Sequence, residues 1–166
     1  FQRFLKDLKE EKQQEPFFKI VQTSSSHEPF EVPFYRLNDK VLNAFAYADS
    51  CVGDFVRQYK ETPMWKNTLI VLVPDHLGAY PRPVENPLEG HTIPLILIGG
   101  AVKEPRVVDT YASQIDIAAT LLSQLGLPHD DFTFSKNIFN PSSPHFGYFT
   151  EPTLFGMVTA ENQLVY

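Results

Sequence analysis

Apolar residues recur along this chain with two different periods, and the switches between them mark out its elements. Phe1, Phe4, Leu5 and Leu8 fall three and four apart among lysines and glutamates, which predicts a short amphipathic helix ending in the polar run 10–15. Pro16 interrupts the pattern, and residues 17–21 then predict a buried strand with the hydroxyl-rich loop 23–26 and His27 at its carboxyl end. Val41, Phe45, Ala48, Val52, Phe55 and Tyr59 share one face of a long helix predicted over 37–59. After the breaker Pro63, the unbroken aliphatic run 69–73 predicts a strand covered on both faces. It stops at Pro74, and Asp75 and His76 follow at once.

Residues 79–90 carry Pro81, Pro83 and Pro87 and no periodicity, so a loop able to cover a site is predicted, closed by His91. A strand over 93–98 ends at Gly99 and Gly100, and Val107 or Val108 marks the start of a short edge segment. A helix is predicted over 113–125, with Ile115, Ala118, Ala119, Leu122 and Leu125 on one face and Gly126 as its stop. The tail predicts short antiparallel strands at 146–150, 153–158 and 163–166. Strand, helix and strand in succession predict a right-handed crossover and a parallel sheet flanked by helices. In such a sheet the loops beyond the strands' carboxyl ends form the binding crevice.

Composition narrows the choices. At 166 residues the chain suits one domain with an ordinary core. A net charge of −6, with no basic stripe, argues against a nucleic-acid surface. The single cysteine, Cys51, allows no internal disulfide, and its helical setting predicts a buried structural thiol. No apolar run is long enough to cross a bilayer and no signal-peptide pattern is present. The chain starts at Phe1 in what reads as mid-helix, so a piece of a larger protein is expected and the parent's membrane attachment stays open.

A carboxylate beside an imidazole forms half of a metal site suited to Zn²⁺ or Mn²⁺, which singles out Asp75 and His76. His27 and His91 occupy loops next to predicted strands and can join them if those loops converge. Hydrogen-bonded surface imidazoles are the competing reading for each. His129 and His145, among prolines and polar residues, are read as solvated. Asp116 is a capping or buried acid within its helix.

Four blocks in order, TSSSHEPF (23–30), NTLIVLVPDHLG (67–78), GHTIPLILIGG (90–100) and SQIDIAATLLSQLG (113–126), carry a resemblance to a known family. The chain resembles the C-terminal half of the extracellular, sulfatase-like catalytic domain of the lipoteichoic acid synthase and phosphoglycerol transferase family, within the alkaline phosphatase superfamily. The resemblance implies an α/β fold, a mostly parallel sheet flanked by helices with a small C-terminal antiparallel sheet, present here as a partial domain. Residues 1–127 would be the catalytic half-domain and 128–166 its antiparallel subdomain.

By the same resemblance Asp75 and His76 ligate a divalent ion, Mn²⁺, Mg²⁺ or, in related phosphoethanolamine transferases, Zn²⁺. His27 matches a phosphate-binding or proton-transferring histidine, and His91 one that lies near the substrate or on a second metal. The implied activity is two-step transfer of a phosphoglycerol or phosphoethanolamine headgroup from a phospholipid. It takes place in a membrane-anchored parent, outside the cytoplasm. The family's threonine nucleophile and an acidic ligand lie upstream of the first block, so this chain alone is expected to be inactive. Its partners are expected to be the missing N-terminal half of the domain or a second copy of itself. Leu77 stands where the family usually has glycine. A sulfatase or phosphodiesterase parent, with water as acceptor, and a non-catalytic module of the same fold are the alternatives.

Overall fold

The computed structural model describes residues 1–11, 14–78 and 80–166. They divide into two compact units, Phe1–Leu72 with Leu95–Glu104, and Val73–Pro94 with Pro105–Tyr166.

The first unit is built on two helices, α1 (Gln2–Glu10) and α2 (Lys40–Lys60). Asp39 caps α2 by accepting the Leu42 N–H at 2.8 Å, and Arg57 and Lys60 sit in its last turn, where cations suit the negative end of the helix dipole. The apolar stripes meet as the periodicity requires: Leu5 and Leu8 pack with Phe55 and Tyr59, with Phe1, Phe4, Phe17, Trp65 and Ile70 around them. Full burial of each such side chain stabilises the fold by about 1.5–3 kcal/mol. Phe55 stacks on Tyr59 with ring centroids 5.5 Å apart. The Tyr59 hydroxyl lies 3.0 Å from Thr68 Oγ1, which itself donates to the Met64 carbonyl, so the phenol is the donor.

Asn43, 7% exposed, is a second anchor. Its amide accepts from the Arg36 and Leu37 N–H groups and donates to the Leu37 carbonyl, fastening that loop to α2. Cys51 is half-buried on α2 rather than buried. The Tyr47 phenol, one turn earlier, is held above its ordinary value, chiefly by a side-chain hydrogen bond with Cys51, then by charge there and by desolvation.

After a 3₁₀ turn at Pro63–Asn67 comes β1 (Ile70–Leu72), paired with β2 (Ile96–Ile98). The pairing corrects the expected parallel sheet: it is antiparallel, with Ile70 opposite Ile98 and Leu72 opposite Ile96. Residues 17–21, expected as a buried strand, belong to no strand among the described residues, and Phe18 and Ile20 are each 79% exposed. Without a first strand in the sheet, the crossover that would have made β1 parallel to it does not arise. Among the described residues β1 has β2 as its one strand partner, and although Ile70 packs against the helical core, all three residues of β1 are half-buried rather than covered on both faces. Beyond β2, Gly99 adopts φ 129° against the Thr68 carbonyl, where a side chain would collide with backbone.

The second unit contains the short helix α3 (Pro87–Gly90), α4 (Asp116–Gln124) and three strands, β3 (Gly147–Glu151), β4 (Leu154–Val158) and β5 (Gln163–Val165). The strands form an antiparallel sheet in the order β3-β4-β5, as their alternation predicts. α3 lies within the segment read as loop: Asn86 caps it, accepting the Leu88 N–H at 3.0 Å, and Pro87 opens it. α4 ends as predicted at Gly126, φ 68°, with Gly126 N–H bonded to Ser123 O and Leu127 N–H to Leu122 O. Val107, expected to begin an edge segment, is 86% exposed and in no strand. Among the described residues no helix is long and apolar enough to cross a membrane.

Candidate metal centre

Val73 and Pro74 separate the end of β1 from Asp75, and both Asp75 and His76 lie on an exposed loop of the second unit, with side chains 85% and 72% exposed. Asp75 Oδ1 accepts the His76 backbone N–H at 3.0 Å, which leaves Oδ2 to point elsewhere. His76 Nδ1 lies 3.0 Å from the Leu77 carbonyl. A carbonyl only accepts, so Nδ1 carries a proton, and Nε2 is the ring nitrogen that would face an ion.

Asp75 Oδ2 and His76 Nε2 are 3.5 Å apart. Two ligands at about 2.1 Å from a tetrahedral ion stand about 3.4 Å from each other, so the pair fits two corners of such a site. Leu77 supplies its carbonyl to this arrangement and its backbone is not in the left-handed region, so nothing in the loop requires a glycine at this position. Among the described residues no group of three His, Cys, Asp or Glu side chains comes together to hold an ion.

The loop is tied down by a residue that the sequence analysis did not single out. Gln114 Nε2 donates to the carbonyls of both Pro74 and Asp75, each at 2.9 Å. No spacing in the sequence announces this, because the contact bridges 40 residues.

His91 is committed to its own surroundings. Its ring stacks on Phe149 at 3.9 Å between centroids and 14° between planes. Nδ1 donates to the Pro87 carbonyl at 2.6 Å, and Nε2 is 3.2 Å from Glu151 Oε1. Phe149 reaches this position because Gly156 lies opposite it on β4, and a Cβ there would run into the Phe149 ring.

His27, in the first unit, is exposed, and its Nδ1 lies 3.1 Å from the Glu28 carbonyl, which leaves Nε2 as the acceptor nitrogen. Its loop closes on Phe30, whose N–H bonds to the His27 carbonyl at 2.9 Å and whose φ of 57° is unusual for a bulky residue. His145, read as solvated, is exposed and bonded to the Asn140 carbonyl at 3.0 Å.

The family model described as Sulfatase matches residues 1–127. The chain belongs to the sulfatase family. That span holds all four residues singled out by sequence: His27, Asp75, His76 and His91. Sulfatase domains are enzymes that generally work with divalent metals, and a carboxylate beside an imidazole is a donor set of that kind. No solved structure matches the chain.

Proposed function

We propose that this sulfatase-family chain is part of a metal-dependent phosphotransferase that moves phosphoglycerol or phosphoethanolamine from a lipid headgroup to an acceptor. The parent is membrane-anchored, with this domain outside the cytoplasm. The observation that carries the reading is the Asp75–His76 pair, with Asp75 Oδ2 and His76 Nε2 3.5 Å apart and the imidazole Nδ1 held at the Leu77 carbonyl. Four sequence blocks in the order of the lipoteichoic acid synthase family support the transferase over other sulfatase-family chemistry. Asp75 and His76 would hold a Mn²⁺, Mg²⁺ or Zn²⁺ ion. A divalent ion, when bound, neutralises charge on phosphoryl oxygens and lowers the pKa of a coordinated hydroxyl. His27, with Nε2 exposed as an acceptor, is assigned to the phosphate or to proton movement. His91 is read as a residue near the substrate, shaped by Phe149 and Glu151.

Two donors are half a coordination shell, so the remaining ligands and the nucleophile come from other segments of the parent, and the chain alone is inactive. The same missing portion, or a second copy, is the partner for exposed apolar residues such as Phe18 and Ile20. A hydrolase with water as acceptor is the second reading, favoured by the breadth of the sulfatase match itself.

The test is transfer of labelled headgroup from phosphatidylglycerol or phosphatidylethanolamine by the parent enzyme, with and without chelator. Metal-dependent appearance of label on an acceptor is expected, with turnover falling in His27→Ala while metal content is unchanged. Release of the label to water alone would move the assignment to a hydrolase.

A further inference from the structure

Asp75 and His76 share one peptide bond, and both sides of it are held. Its N–H is bonded to Asp75 Oδ1, and its carbonyl, that of Asp75, accepts from Gln114. Gln114 uses the same nitrogen to reach the preceding carbonyl, that of Pro74. Successive carbonyls of an extended chain point to opposite sides. For one amide nitrogen to meet both at 2.9 Å, the chain must turn at Asp75 so that the two carbonyls converge. That turn aims the carboxylate and imidazole.

Gln114 is itself on a firm base. Ser113 Oγ donates to the Tyr148 carbonyl at 3.0 Å and accepts the Tyr148 N–H at 2.6 Å, the Ser113 N–H is bonded to Asp116, and Asp116 is buried in an ion pair with Lys136. The stretch 113–116 therefore joins β3, the start of α4 and the loop after β1.

We propose that Gln114 is a positioning residue for the Asp75–His76 pair: its side-chain amide pins the shared peptide and so sets how tightly and in what geometry a divalent ion is held. The inference rests on the reading of Asp75 and His76 as ligands. Because Gln114 is exposed, its two hydrogen bonds compete with water and add little to folding stability, whereas misaligned ligands lose affinity directly.

The test uses the whole 166-residue chain with Co²⁺ as probe, read by titration and by its visible absorption, and the unfolding midpoint without metal as control. Gln114→Met keeps the length and removes both donors; Gln114→Ala removes the side chain. Both are expected to weaken Co²⁺ binding about tenfold and to alter the absorption bands, with the metal-free unfolding midpoint unchanged. Wild-type affinity and spectrum in both variants, with binding abolished in Asp75→Ala, would overturn this inference and leave the metal centre standing. Undiminished binding in Asp75→Ala, or no binding by the wild-type chain at millimolar Co²⁺, would overturn the metal centre and this inference with it.

Discussion

Lys136 places its ammonium 2.8 and 2.9 Å from the two carboxylate oxygens of Asp116, in a setting that leaves the Asp116 side chain 1% exposed and that of Lys136 13% exposed. The same carboxylate accepts the N–H groups of Ser113 and Lys136, and the ammonium also lies 3.9 Å above the Phe146 ring. Removing one partner strands the other charge without water. Asp116→Ala is therefore expected to destabilise the second unit by about 3–5 kcal/mol in urea unfolding, and Lys136→Met by a similar amount. The double change to Leu and Met should recover part of that loss. A cost below about 1 kcal/mol for either single variant would show the pair to be structurally idle.

Asp75 and His76 should behave in the opposite way. Their side chains are largely in solvent, so Asp75→Ala and His76→Ala are expected to leave the unfolding midpoint of the metal-free chain unchanged. Each should weaken Mn²⁺ and Zn²⁺ binding more than tenfold by calorimetric titration, since each removes one of two donors. Equal affinities in wild type and both variants would remove the reason for reading this loop as a metal centre.

His91 separates structural from ligating roles. Its stacking on Phe149 and its bonds to Pro87 and Glu151 tie β3 to the end of α3, beside its proposed place near the substrate. His91→Ala is expected to cost about 0.5–1.5 kcal/mol of stability through the lost ring contact. Its Co²⁺ affinity should remain within about twofold of wild type; a drop comparable to that of His76→Ala would make it a ligand instead.

In the first unit Tyr59 is 2% exposed and its hydroxyl donates to Thr68. Tyr59→Phe should cost about 1 kcal/mol, because Thr68 keeps its own bond to Met64. Tyr59→Ala, which empties the space beside Phe55, should cost about 3–5 kcal/mol. Near-equal unfolding midpoints for the two variants would contradict the packing described.

Local chemistry, legible in the linear chain, pointed to the longer helices, because the stripes of α1 and α2 and the Gly126 stop each act within a few residues, whereas the four residues of α3 are too few to show a period. The antiparallel tail was legible for the same reason, since alternation and turn residues lie side by side in sequence. So was the adjacency of Asp75 and His76, which is covalent. What the sequence left open needed partners distant along the chain. An apolar run such as 17–21 has the composition of a strand, but strand pairing requires a neighbour to accept its backbone, and none among the described residues does. The direction of β1 followed from β2, with 23 residues lying between them, and not from its own residues. Gln114 became visible only when the fold brought its amide to Pro74 and Asp75, because a glutamine's hydrogen-bond partners carry no sequence signature.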